Sequence, residues 1–422
     1  MEDRNPVVRR GSGRPHRNEE AVCGEVRMRR VFNETFAVGI MVLMCGCRVP
    51  TEPTDPARGA GTNISNLGGG SSRPVIAVSP NGDVSVVWTQ QVGEDHPSEE
   101  IFYTMKSEDG SWSTPVNLSN NDMDSRFPSI DVDEEGKIHV AWQDLSGSGH
   151  GWELFYSVKP VEGGWSLPET LTYGGMSAVP DMVVDQEGSA HLIWKEYLVG
   201  VSELFYRRRD PDGSWSQPVS LSGSSDWLLW GDADIDVDPW GSVHVVWDGW
   251  KEPFRSEIFY TKKPMGGVWT VSENISRTEE GYSYRPSVVT GNEGDLHIVW
   301  SDDTEIVDGF HQLEIYYATK PEEGDWADPI DISVLRRHSN LPCLTHDLQG
   351  NLHLVWHAAK FEPRIYYAIK RRGEDWSDPI FLCRPDVGDV HPALAADPEG
   401  KVHVVWQDGH PTGNISYFGF KP

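Results

Sequence analysis

This sequence predicts an all-β fold, a seven-bladed β-propeller of four-stranded antiparallel blades, and three observations predict it. First, a strand ending in Trp recurs seven times: VSVVW at Trp88, IHVAW at Trp142, AHLIW at Trp194, VHVVW at Trp247, LHIVW at Trp300, LHLVW at Trp356 and VHVVW at Trp406. The intervals run from 50 to 56 residues, and a fixed period of that order marks a solenoid, propeller or array. Second, each copy reads as four strands, β-branched and aromatic runs bounded by Gly, Pro, Asp and Asn. Third, the ends complement each other. The last copy stops after its third strand at Asn414-Ile415-Ser416-Tyr417, and the missing fourth stands at the other end of the repeat region. There, Thr62-Asn63-Ile64-Ser65-Asn66 matches Val116-Asn117-Leu118-Ser119-Asn120 and Glu273-Asn274-Ile275-Ser276-Arg277. An N-terminal strand that completes the last blade removes an open sheet edge.

Taken in chain order, residues 1–47 form a leader. From Met28, a possible start, the chain reads MRR, then an apolar run from Phe36 to Met44, then Cys45-Gly46-Cys47. A basic head, a short apolar stretch and small residues at the cut make a secretory signal. Cys47 after Gly46 resembles a bacterial lipoprotein cleavage box, which implies a lipid anchor at Cys47 and a place in the cell envelope or outside the cell. Residues 48–61, rich in Pro, Thr, Gly and Ala, read as a flexible tether. Residues 62–422 form the single propeller. Within each copy comes an apolar strand and a tight turn, as in PSIDVDEEGKIHVAW, then a variable loop. A third strand such as EIFYTMK follows, then a Gly-containing turn and a fourth strand, as in GSWSTPVNLS.

Composition narrows the function. The 422 residues carry 36 Lys+Arg against 65 Asp+Glu, a net charge of −29. That field repels nucleic acid in the absence of a local basic patch. Five Cys make no disulfide scaffold. Of the 18 Trp, thirteen sit at two repeat positions, the seven above and Trp112, Trp165, Trp215, Trp269, Trp326 and Trp376, and serve blade packing. The His that precedes the Trp in six copies (His139, His191, His244, His297, His353, His403) recurs around a ring, too far apart to share one metal, so its role is structural. The turn Asp (Asp133, Asp185, Asp238, Asp347, Asp397) bonds the loop backbone. Neither a metal nor a cofactor is expected.

Function is therefore sought where the copies differ. The turns joining strands one to two and three to four are short and uniform. The loops joining strands two to three, and each copy to the next, are long, share the opposite face and vary, as binding loops on a rigid scaffold do. Trp152, Trp227, Trp230, Trp250, Tyr197 and His391 fall on that face and are the candidate ligand-binding residues. Aromatic rings facing a funnel suit stacking on sugar rings.

A Gly-containing turn before a Trp, as in Ser107-Glu108-Asp109-Gly110-Ser111-Trp112 and Asp210-Pro211-Asp212-Gly213-Ser214-Trp215, resembles a degenerate Asp-box (BNR) repeat of the sialidase superfamily. That resemblance implies an arginine triad for a substrate carboxylate, a Tyr–Glu nucleophile pair and an Asp acid/base. The motif that carries the family's first arginine is most similar to Ser125-Arg126-Phe127-Pro128, and then to Tyr284-Arg285-Pro286. Arg73, Arg255, Arg336, Arg337 and Arg364 are further arginines, and Asp124, Asp232, Glu280, Tyr282 and Tyr284 are candidates for nucleophile or acid. The acidic composition, by contrast, argues against an anionic sugar. Three readings follow: an exported propeller that binds a glycan without chemistry of its own, a sialidase-like glycoside hydrolase, and a protein-binding adhesion or assembly module.

Overall fold

The computed structural model describes residues 61–422, except 94–96, 108–109, 146–150, 175, 199–200, 224–227, 252–254, 279–280, 308–309, 335–337, 359–363, 384–390 and 410–412. The side chains of 201, 228–230, 251, 305–307, 310 and 383 also lie outside the description. The leader, Cys47 and the tether up to residue 60 fall outside it as well.

The described chain is all-β and its antiparallel sheets are four-stranded, one per repeat copy. Copy two is typical, with Ser125–Val132, Ile138–Asp144, Glu153–Lys159 and Glu169–Thr170 paired in chain order. In the last sheet the fourth strand is Thr62–Asn63, with Thr62 opposite Tyr417 and Asn63 opposite Ser416. Copies four and five depart from separate sheets. A short parallel pairing, Arg255 with Gly281 and Ser256 with Tyr282, joins the two into one eight-stranded sheet. Most fourth strands are regular for only two residues. The Trp expected on each lies before that stretch and bridges back to the third strand, as Trp112 does to Lys106.

Apolar burial follows the repeat. Seven apolar clusters among the described residues each join two successive copies, and one joins the last copy to the first through Val405, Ile415, Tyr417, Val84, Val86 and Trp88. Trp88, Trp142 and Trp356 are completely buried. The other Trp position packs edge-on against a Tyr of the preceding copy, for example Trp215 on Tyr156 and Trp112 on Tyr417, with centroids 5.3 and 5.0 Å apart. Edge-to-face pairs add stabilisation beyond the area they bury.

The repeated His is structural. Its Nε2–H donates to a turn carboxylate, as in His191 to Asp185 at 3.0 Å and His403 to Asp397 at 3.0 Å. Its Nδ1 then accepts the O–H of a third-strand Tyr, Tyr206 at 2.8 Å and Tyr417 at 2.7 Å. The turn Asp also accepts the backbone N–H four residues on, at 2.7 Å for Asp185 and Asp238.

A second repeated unit ties the first strand to the second. In four copies, the residue two after the Trp accepts both the indole N–H and a Ser hydroxyl from the first strand. Ser71 and Trp88 bind Gln90, Ser125 and Trp142 bind Asp144, Ser177 and Trp194 bind Glu196, and Ser283 and Trp300 bind Asp302. Burying these polar groups is tolerable only because each finds its partner.

Candidate functional site

Two residues beyond this Ser, five first strands break register. Pairing skips from Ser72 to Val75, Arg126 to Ser129, Ala178 to Asp181, Tyr284 to Ser287 and Asn340 to Cys343. The residue before the Pro is left in the left-handed region: Arg73, Phe127, Val179, Arg285 and Leu341 have φ between 51 and 56°. Such a conformation costs on the order of 1–3 kcal/mol for a residue with a side chain, and a β-bulge of this kind re-aims the side chain at its apex. The following Pro has no N–H to leave unpaired. Together with Asp232 and His391 at the matching positions of copies four and seven, these residues line one cavity of about 680 Å³, well within the range of small-ligand sites. The scaffold thus places one residue per copy into a shared cavity, and their chemistry differs: two Arg, one Asp, one His and three apolar side chains.

The residue directly after each Trp alternates to the other side of its strand, and in copies two and four it supports the next copy's bulge. Gln143 accepts the N–H of Val179 at 2.8 Å, and Asp248 accepts that of Arg285 at 3.2 Å. Lys195 and Asp248, both of this class, line the cavity with Trp250, Ser256, Tyr282 and Tyr284. Asp248 is 2% exposed and also accepts the Gly231 N–H at 2.7 Å. Burial, and then the neighbouring charge of Asp232, push its carboxyl up to about 7. Burial lowers the Lys195 ammonium, opposed by Asp248 and Asp232. Burial also pushes the Tyr284 phenol up to about 12. Arg285 reaches Asp232 at 3.8 Å and lies over the Tyr284 ring at 5.9 Å, while Arg73 stacks on Phe127 at 3.9 Å. With Arg73, Lys195 and Arg285 facing Asp232 and Asp248, the lining is not the acidic funnel that overall composition suggests.

Of the sequence candidates, Arg285, Asp232, Tyr282, Tyr284, Trp250 and His391 line this cavity. Arg126, Asp124 and Trp152 do not. They form a cluster of their own, in which Arg126 pairs with Glu99 and, at 3.0 Å, with Asp124, and lies over the Trp152 ring at 5.3 Å. The bulge sends Phe127, not Arg126, inward. Tyr197 is 44% exposed and packs under the Lys195 ammonium at 5.5 Å without lining the cavity. Trp227 and Glu280 lie outside the described residues, as does the side chain of Trp230. Sequence reasoning missed Lys195, Asp248, Phe127 and Val179. A signal existed in the recurring Ser-x-x-Pro of the first strands, whose third residue is the one that varies.

No protein-family model matches the chain, and no curated protein sequence matches it. Solved structures share its fold. A polysaccharide lyase described as an ulvan lyase, solved bound to GlcA(1-4)Rha3S, is 13% identical with a TM-score of 0.62, over 84% of this chain and 94% of that one. A lectin from Burkholderia pseudomallei is 12% identical with a TM-score of 0.58, over 82% and 99%. An α-L-arabinanase from Penicillium chrysogenum complexed with arabinobiose is 10% identical with a TM-score of 0.53, over 70% and 93%. These neighbours are propeller-type proteins that act on or bind carbohydrate.

Proposed function

We propose that this protein is an exported, seven-bladed propeller that binds an acidic carbohydrate in the cavity formed by its first-strand bulges. The observation that carries the reading is the delivery of Arg73 and Arg285, from copies one and five, into one cavity with Lys195. A planar guanidinium takes a carboxylate through two parallel hydrogen bonds, and Trp250, Tyr282 and Tyr284 supply ring faces beside it. The fold neighbour bound to a glucuronic acid unit and the lectin neighbour favour a carbohydrate over a protein partner. Seven blades and ring closure are part of the proposal. The pairing of Thr62 with Tyr417 and the apolar cluster shared by the last and first copies support them.

The test is retention on immobilised polysaccharides. The chain from residue 48 should be held by glucuronic acid polymers and pass through neutral arabinan and cellulose. Equal retention on both classes, or on neither, contradicts the reading. Export with a lipid on Cys47 remains part of the proposal on sequence grounds, and the mass of the mature N-terminus in a bacterial host checks it; an unmodified Cys47 rejects the anchor.

A further inference from the structure

Copy four departs both from the Ser–acid–Trp unit and from the usual form of the bulge. Its first strand carries Trp230 where five other copies carry the Ser of the Ser–acid–Trp unit, and Gly249 stands at the acceptor position two after the Trp. The irregularity is longer, skipping from Leu229 to Ala233, and Ala233 stands where Pro follows the bulge elsewhere. The carboxylate is moved by one residue, to Asp248. Side chains alternate across a strand, so a shift of one residue turns an acid from the structural side to the opposite side. Gly231 accommodates that move, since a Cβ at 231 would run into the Asp248 carboxylate.

The structural duty of Asp248 does not need a charge. In copy two the neutral amide of Gln143 accepts the corresponding bulge N–H. A buried carboxylate where an amide suffices, at the site where the repeat's own unit is dismantled, marks function over folding. A second carboxylate, Asp232, lines the same cavity and is ion-paired with Arg285. Two carboxyls in differing environments are the pattern that divides acid from base.

We infer that the cavity hydrolyses the glycosidic bond of the acidic sugar it binds, with Asp248 as proton donor and Asp232 as the carboxylate that activates water. Asp248 gives its proton to the glycosidic oxygen as the bond from that oxygen to the anomeric carbon breaks. A water oxygen bonds to the anomeric carbon and its proton passes to Asp232. Solvent returns a proton to Asp248 and removes one from Asp232, so the net change is one water added across one bond. The inference rests on the binding reading above. The proton on Asp248 near neutral pH follows from its burial and from Asp232. The charged or titratable groups that line the cavity with it are Arg73, Lys195, Asp232, Tyr282, Tyr284, Arg285 and His391.

The experiment uses the chain from residue 48 with the α and β anomers of 4-nitrophenyl and 2,4-dinitrophenyl glucuronide, following nitrophenol release, and measures binding of glucuronic acid oligosaccharides separately. The wild type should release nitrophenol from one anomer, with activity falling as pH rises through the Asp248 titration. Asp248→Asn keeps the carbonyl that accepts the two backbone N–H groups. It should lose about 10²–10⁴-fold on the 4-nitrophenyl compound and much less on the dinitrophenyl compound, whose leaving group needs no proton. Asp232→Asn should lose on both. Oligosaccharide binding by wild type and both variants without release from any compound overturns the hydrolase and leaves the binding reading standing. So does an unsaturated product from the oligosaccharides, which reports elimination. A failure of the wild type to bind the oligosaccharides removes both. A variant that loses activity equally on both leaving groups together with its thermal stability assigns Asp248 a structural role.

Discussion

At the residue scale, the first strands carry a set of half-buried acids that bridge neighbouring copies. Asp131 accepts the Val184 N–H at 2.7 Å, Asp234 that of Val288 at 2.8 Å and Asp236 that of Thr290 at 2.6 Å. Innermost strands of adjacent sheets do not pair with one another, and these carboxyls satisfy N–H groups that would otherwise be buried without a partner. Burial pushes Asp131 up to about 7, with Asp236 and Asp181 adding to it. A carboxyl raised in the folded state binds more protons folded than unfolded, so stability falls as pH rises from about 4, its unfolded value, to about 7, and is level above that. Asp131→Asn keeps an acceptor and carries no charge. It should stabilise the protein at pH 8 by on the order of 2 kcal/mol and flatten the pH dependence between 4 and 7. Denaturant unfolding at pH 4, 6 and 8 checks this, and an unchanged slope would remove Asp131 as its source.

At the element scale, the β-bulge joins fold to site. The strand pattern was legible because alternation and Trp spacing repeat seven times, and the structural roles of the His, the turn Asp and the packing Trp were legible because they recur. The site was only partly legible. Arg126 looked right in its motif, but strand alternation does not survive a bulge, and the residue that turns inward is Phe127. Lys195 and Asp248 sit next to the Trp in strands that read as pure core, and only comparison across copies separates Asp248 from Gln143. The same comparison yields a counter-intuitive expectation. Gly231→Ser installs the residue that copy one carries at this position, Ser72, yet its side chain meets the Asp248 carboxylate. Overpacking of this kind costs about 1–3 kcal/mol, and carbohydrate binding should be lost with it. A Gly231→Ser protein as stable as wild type in thermal unfolding would mean that copy four has no special geometry.

At the scale of the whole molecule, the proposed ring closure makes stability depend on joining the ends. Each sheet alone buries one face against the next, so the last sheet needs the first, as in other repeat architectures. Removing Thr62–Asn63 strips the third strand of the last sheet of its outer partner and leaves an edge open to other chains. A chain that starts at residue 59 should unfold in one transition like the full chain, whereas one that starts at residue 67 should melt earlier and aggregate. Equal melting of the two would show that the terminal strand does not close the ring. The proposed closure also bears on the site, because Arg73 of copy one and His391 of copy seven line the same cavity.

The convergence of Arg73 and Arg285 on one acidic sugar is tested most directly by calorimetric titration with a glucuronic acid tetrasaccharide. Wild type, Arg73→Ala, Arg285→Ala and Arg126→Ala proteins are compared at equal ionic strength. Saturable binding that weakens at least tenfold in the Arg73 and Arg285 variants, and is unchanged in the Arg126 variant, is the predicted result. Binding that survives both cavity substitutions, or that depends on Arg126, would contradict it.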